Sequence, residues 1–262
     1  MSGADAVEFA TLRLHYSPRA CTVTIHRPEQ QNSINGQLLE ELHRALDQLE
    51  ANSECRLVIL EGQPGVFCTG MDFTEVAGNV PGVADAEKAE IFMSLLRRMS
   101  LSPKILIAKI DGKVTAGGVG LVAATDFAVA TPRSQFSLSE ALWGLLPACV
   151  VPYLIRRVGF QCAYWMTLST LPFSAEEVAG YRLINQVSQE PDDVIRRVFL
   201  RLGCLDEMTL VDLKSYFRKM WIVTEEMERV AVAEITRLVT EPRVRKNIRE
   251  FVEHQRFPWS PQ

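Results

Sequence analysis

The chain alternates short apolar runs with segments of helical period, and that rhythm sets the expected elements. Ala20-Cys-Thr-Val-Thr-Ile25 alternates apolar and polar residues and predicts a strand that ends at Arg27-Pro28. Leu38, Leu39, Leu42, Ala45, Leu46 and Leu49 recur at helical spacing behind Asn35, whose side chain can cap a helix N-terminus. Arg56-Leu-Val-Ile-Leu-Glu-Gly62 follows as a buried strand, and Lys104-Ile-Leu-Ile-Ala-Lys-Ile110 is another. Leu121-Val-Ala-Ala-Thr125, just past a run of glycines, reads as helix. Strand, helix and strand therefore repeat, as in an α/β fold. Between repeats, Ala77–Ala86 is rich in Gly, Val, Pro and Ala and is expected to be a mobile loop.

Downstream, Val150–Leu168 reads as a largely apolar helix interrupted by Arg156-Arg157 and Gly159. Ser174-Ala-Glu-Glu177 has capping-box spacing and starts a short helix that ends at Gly180. Past about residue 195 glycine nearly vanishes and helices with charged faces run to Glu253. Leu210, Leu213, Phe217 and Met220 mark one apolar stripe, and Val230, Ile235, Leu238 and Val239 another. The pattern divides the chain into a core over 1–195 and a helical region over 196–262 that packs on the core or on a neighbouring subunit.

With 262 residues, 47% of them apolar, the chain can bury one large core. A net charge of −4 argues against nucleic acid or an anionic membrane surface as the main partner. No apolar run approaches the ~20 residues of a membrane span. The first residues, Met1 to Glu8, are acidic and unlike an export or transit peptide, so the cytoplasm is the expected compartment. Cys21, Cys55, Cys68, Cys149, Cys162 and Cys204 form no Cys-x-x-Cys pair and are expected as free thiols. The four histidines show no ligand spacing, and no metal is expected. Cys68 and Cys149 fall in segments that carry chemistry, where they read as small packing residues, with a catalytic thiol as the alternative.

The chemistry concentrates in Asp111-Gly-Lys-Val-Thr-Ala-Gly-Gly-Val-Gly-Leu-Val-Ala-Ala-Thr-Asp126. Gly117 and Gly118 sit at a strand-to-helix turn, where a missing Cβ admits close backbone approach. The first N–H groups of the helix have no internal partner and lie at its positive end. Such a turn can hold a phosphate or an enolate oxygen, or can simply let the helix pack on the strand. The spacing is not that of a Walker loop or a dinucleotide fingerprint. A second strand ends in a comparable turn, within Gln63-Pro-Gly-Val-Phe-Cys-Thr-Gly-Met-Asp-Phe-Thr-Glu75, and could offer a second N–H.

Together with Ser137-Leu-Ser-Glu-Ala-Leu-Trp-Gly-Leu-Leu-Pro147, these segments resemble the crotonase (enoyl-CoA hydratase/isomerase) superfamily in order and spacing. The similarity runs from about His26-Arg-Pro to Phe257-Pro-Trp259. The resemblance implies a spiral of repeated ββα units and a C-terminal helical region used in trimer formation, as a homotrimer or a dimer of trimers. It implies an oxyanion hole made of the N–H groups of Met71 and Gly117, beside a pocket at Gly118, Gly120 and Cys149. Glu140, in Ser139-Glu-Ala-Leu-Trp-Gly144, matches a catalytic glutamate of the hydratases; a surface or capping carboxylate is the alternative. The position of their other glutamate is Gly120. A one-base enzyme, a substitute acid, or a larger acyl group in the vacated space each fit that glycine. Asp72 is the candidate substitute acid and equally a candidate turn cap.

The runs Gly70-x-Asp-Phe73, Phe136-Ser-Leu-Ser-Glu140, Leu146-Pro-Ala-Cys-Val150, Leu154-Ile-Arg-Arg-Val-Gly159 and Gln255-Arg-Phe-Pro-Trp259 are similar to one branch, the polyketide-biosynthesis enoyl-CoA hydratase-like proteins of β-branching cassettes. The reaction this implies is dehydration of a 3-hydroxy-3-methylglutaryl group (or a close analogue) on an acyl carrier protein, giving a 3-methylglutaconyl thioester. No cofactor is implied beyond the phosphopantetheine or CoA that carries the acyl group. A distal carboxylate on that substrate calls for a cation, and Lys113, Arg133 and Arg97 are candidates. The competing activities are a Δ3,Δ2-enoyl-CoA isomerase, the decarboxylase of the same cassettes, and a non-catalytic scaffold.

Overall fold

A computed structural model describes residues 8–78, 83–221 and 224–260. Strands β1 (Leu12–Ser17) and β2 (Ala20–Ile25) form an antiparallel hairpin, and a 3₁₀ turn leads to α1 (Gly36–Ala51). The Asn35 side chain accepts the Leu38 N–H at 2.9 Å, capping α1, and all six apolar positions expected on its inner face are buried.

From there the chain follows a repeating route. A first pass makes β3 (Leu57–Glu61), β4 (Val66–Cys68), α2 (Phe73–Gly78) and α3 (Val83–Leu101). A second makes β5 (Ile105–Ile110), β6 (Lys113–Thr115) and α4 (Gly117–Ala124). A third makes β7 (Phe127–Ala130), β8 (Gln135–Ser137) and α5 (Glu140–Trp143). In each pass the first strand joins a six-stranded sheet, the second joins a four-stranded sheet, and helix follows. This is the ββα spiral. The chain continues through α6 (Val151–Val158), α7 (Phe160–Ser169), β9 (Phe173–Ser174), α8 (Ala175–Gly180) and β10 (Gln186–Val187). It ends in α9 (Pro191–Leu202), α10 (Glu207–Lys219), α11 (Glu225–Thr240) and α12 (Pro242–His254). The large sheet has the order β1-β2-β3-β5-β7-β10 and is parallel beyond the hairpin; the small one has the order β4-β6-β8-β9, with β9 antiparallel.

Burial on both faces explains why β5 is almost continuously apolar. One face feeds the main core. The other packs Ile105 and Ile107 with Leu57, Val129, Val194, Ile195 and Leu210, beneath α9 and α10. Helix α9 therefore runs straight across residue 195, with the spiral's own sheet as its partner. Of the first expected stripe Leu210 is buried, while Leu213, Phe217 and Met220 are exposed; of the second, Ile235, Leu238 and Val239 are buried and Val230 is exposed. Helix α11 lies on α3, and α12 lies on α2 and α5.

Three local expectations are refined. The helix foreseen over Val150–Leu168 is two helices, broken at Gly159 with φ 79°. The strand expected before the glycine helix is present as β5, and a further short strand, β6 in the other sheet, follows it after a turn at Gly112, where a Cβ would fall 2.0 Å from the Gly65 carbonyl oxygen. Of the expected loop Ala77–Ala86, residues 77–78 close α2 and 83–86 open α3, and 79–82 lie outside the described residues. The capping box is present: Ser174 Oγ accepts the Glu177 N–H at 3.2 Å and Glu177 Oε2 accepts the Ser174 N–H at 2.7 Å. No helix among the described residues is long and apolar enough to cross a membrane.

Candidate active site

The turns after β4 and β6 meet. Gly70 has φ 82°, and a Cβ there would stand 2.5 Å from the Ala116 Cβ and 3.0 Å from the Gly117 nitrogen, so the approach requires glycine. Ile34 fixes the first turn by donating its N–H to the Gly70 carbonyl (2.7 Å) and accepting the Asp72 N–H (3.0 Å). The Met71 N–H between them has no partner among the described residues, and neither has the Gly117 N–H, the first of α4. Ala116 sets the direction of that helix end at φ 52° and ψ −121°, a conformation costing on the order of 1–3 kcal/mol for a residue with a Cβ. Its N–H donates to the Ser137 carbonyl at 2.9 Å, tying the strained turn to β8.

Met71 and Gly117 both line a cavity of about 1140 Å³, and Glu140 lines the same cavity. The chain delivers Glu140 as the first residue of the one-turn helix α5, which stops at Gly144 in the left-handed region. Glu140 Oε2 is buried and accepts no hydrogen bond from the described residues. Burial pushes its pKa up to about 7, opposed only by its own backbone N–H. A carboxylate so placed is poised to take or give a proton near neutrality.

The other expected residues divide. Asp72 is buried with both oxygens engaged: Oδ1 accepts the Thr74 and Glu75 N–H groups at the start of α2, and Oδ2 accepts from Arg27 (2.9 Å) and Ser33 (3.1 Å). Burial alone would raise its pKa, but the Arg27 and Ser33 hydrogen bonds, the Glu75 N–H and the Arg27 charge together lower it. That is the geometry of the turn cap. Gly118 faces the Cys68 backbone, where a Cβ would lie 2.5 Å from the Cys68 oxygen, and so serves packing and not the pocket wall. Gly120 leaves no vacancy either. A Cβ there would meet Val150 Cγ2 at 3.0 Å, Phe92 at 3.4 Å and Leu96 at 3.5 Å, so apolar side chains already occupy the space. Cys149 lines the cavity, but burial pushes its thiol up to about 12, as it does for Cys68, and neither forms a thiolate near neutrality.

Among the candidate cations, Arg97 pairs with Glu228 at 3.4 Å and Arg133 with Asp111. Lys113 lies on the cavity wall and has no carboxylate partner among the described residues, whereas Arg27 and Lys88 on the same wall are paired with Asp72 and Glu75. The sequence reading missed the aromatic side of the cavity, built from Phe73, Trp143, Phe251, Phe257 and Trp259. These residues come from four separate segments, and no spacing rule joins them.

The sequence profile of the enoyl-CoA hydratase/isomerase family matches residues 17–262, and the chain belongs to this family of enzymes. It is 37% identical over 259 residues to the bacillaene synthase dehydratase PksH of Bacillus subtilis, covering 98% of this chain and all of that one. A crystal structure described as a polyketide biosynthesis enoyl-CoA hydratase (pksH) from Bacillus subtilis superposes with a TM-score of 0.90 at 35% identity, covering 96% of this chain and all of that one. Another relative, the mevalonyl-coenzyme A hydratase sidH of Aspergillus fumigatus, is 26% identical over 252 residues, covering 94% of this chain and 93% of that protein.

Proposed function

We propose that the protein dehydrates a 3-hydroxy-3-methylglutaryl-type thioester carried on an acyl carrier protein, giving a 3-methylglutaconyl thioester in polyketide β-branching. The observation that carries this reading is the buried Glu140 Oε2, in one cavity with the N–H groups of Met71 and Gly117, all three without a hydrogen-bond partner among the described residues. The thioester oxygen accepts from both N–H groups as enolate character develops. One preorganised donor of this kind contributes ~2.7–4 kcal/mol, which brings the C2 proton within reach of a carboxylate. Glu140 removes that proton, the enolate electrons form the C2–C3 double bond, and the C3 hydroxyl leaves as water with the proton returned by Glu140.

Apolar side chains stand where hydratases carry a second glutamate, which leaves both transfers to Glu140. Lys113 receives the distal carboxylate. The likeness to a bacillaene synthase dehydratase supports dehydration, and the mevalonyl-CoA hydratase supports the acyl class, because mevalonyl is itself a 3-hydroxy-3-methyl acyl group. The phosphopantetheine or CoA thioester is the only group the chemistry needs besides the protein. Exposed Leu213, Tyr216 and Phe217 on α10, with Met220 at its C-cap, support burial against a neighbouring subunit, in keeping with the trimer that the family resemblance implies.

The test compares two substrates on native protein, a carrier-bound 3-hydroxy-3-methylglutaryl group and a carrier-bound 3-enoyl group. Water loss from the first without isomerisation of the second is expected. Fast isomerisation without dehydration makes the protein an isomerase, and release of carbon dioxide from a carboxylated enoyl group makes it a decarboxylase.

A further inference from the structure

The cavity has one side that the dehydration mechanism does not use. Helix α12 ends at Gln255, whose φ of 53° turns the chain back, and residues 255–260 carry neither helix nor strand. Gln255, Phe257 and Trp259 lie on the cavity wall. The rings of Phe257 and Trp259 have centroids 5.0 Å apart, and they pack on Trp143 at 6.0 and 5.3 Å. Phe257 also meets Phe251 of α12 at 5.1 Å. Trp143 is the last residue of α5, the helix that Glu140 begins, so the tail is seated one helical turn from the proton-transfer group.

The two tail rings are not buried by this packing. Trp143 is 7% exposed, whereas Phe257 is 41% and Trp259 49% exposed. A tail that needed only an anchor would hide its rings; these present apolar area into a cavity, which a bound hydrocarbon group would cover with a gain in free energy. Each ring also has only two side-chain torsions to fix on binding, which keeps the ordering cost small. The indole N–H of Trp259 donates to none of the described residues, so the ring offers a free donor beside its apolar face.

We propose that Phe257 and Trp259 contact the bound acyl thioester and set which acyl groups it accepts, by packing on the hydrocarbon that extends beyond the reacting C2 and C3 carbons. The inference rests on the reading of this cavity as an acyl-thioester site, and it makes the C-terminal tail a specificity element of that site.

The test uses the full-length protein and unreactive CoA thioether analogues whose acyl branch is lengthened stepwise. Calorimetric Kd values for the analogues, and KM and kcat for the matching 3-hydroxy thioesters, are measured for native protein, for Phe257→Ala/Trp259→Ala, and for the bulk-preserving Phe257→Leu/Trp259→Phe. The double alanine variant is expected to weaken the longest analogue by roughly tenfold or more and the shortest by less than about twofold, with KM for the longest substrate rising in step. The bulk-preserving variant restores most of the loss. Equal weakening at every length would show that the tail only holds the cavity together, and no weakening would remove it from the site; either result overturns the proposal. Length-dependent analogue binding in a protein that dehydrates nothing would keep this wall and remove the reaction.

Discussion

Gly70 and Gly117 lie backbone against backbone, so close that a Cβ on Gly70 would stand 3.0 Å from the Gly117 nitrogen. That approach sets the spacing between the Met71 and Gly117 N–H groups, neither of which has a partner among the described residues, because Met71 follows Gly70 directly. Gly70→Ala would force a side chain into φ 82° and onto the Ala116 Cβ, parting the turns. We expect kcat to fall by about 10²–10³, the effect of losing one oxyanion donor. The carbonyl stretch of a bound thioester analogue checks the cause. It is lowered in the native protein and returns toward its solution frequency in the variant. An unchanged frequency in both would remove the two turns from catalysis.

Glu140 makes activity and stability move oppositely with pH. As a base it must be ionised, so kcat/KM rises through an acid limb near its pKa of about 7. The folded state holds this proton more tightly than the unfolded chain, where the carboxyl titrates near its ordinary 4.5. Its favourable contribution is therefore complete below about pH 4.5 and is lost as the pH rises through 7. Glu140→Gln removes the buried charge and should stabilise the protein at pH 8 by up to roughly 3 kcal/mol, with little gain at pH 5. Urea titrations at the two pH values measure this. An equal difference at both would place the carboxyl in water.

Asp72 is assigned to structure, and Asp72→Asn separates that role from acid catalysis. The change leaves the Arg27 guanidinium, 11% exposed, without its ion-pair partner. Breaking a buried pair in this way costs on the order of 3–5 kcal/mol. The urea midpoint should drop sharply while kcat of the folded variant stays within about tenfold of native, since a lost general acid would cost ~10²–10⁴. A collapse of kcat at native stability would return Asp72 to the list of acids.

Restoring a glutamate at position 120 should fail for a packing reason. The space holds Val150, Phe92 and Leu96, so even Gly120→Ala overpacks and is expected to cost ~1–3 kcal/mol. Gly120→Glu adds an unpaired buried carboxylate and should lose both stability and dehydration. Thermal melts and assays on a small enoyl thioester check it. A stable variant with strong new hydratase activity would show that the room exists.

What could be read from the sequence was what is decided locally. Asn35 and the leucines behind it announce α1 because capping and periodicity act within a few residues. The capping box at Ser174 and the break at Gly159 are local for the same reason. Strand β6 escaped because it has three residues and takes its meaning from β4 and β8, distant in the chain. Gly120 was left with three readings because spacing identifies the residue at a site but not the side chains, Phe92 and Leu96 of α3 and Val150 before α6, that stand around it. The same limit hid Phe251 and the tail rings from the cavity, whereas Glu140, which the family resemblance singled out by a motif within one turn of chain, does line it.

The most direct measurement follows the carrier-bound acyl group by mass spectrometry. Native protein and Glu140→Gln are each incubated with 3-hydroxy-3-methylglutaryl carrier protein, and the loss of one water is timed. The native protein should convert the substrate to the 3-methylglutaconyl thioester, and the variant, folded and still binding the analogue, should be slower by roughly a hundredfold or more. Equal rates for the two, or no loss of water by native protein on this substrate, would contradict the account.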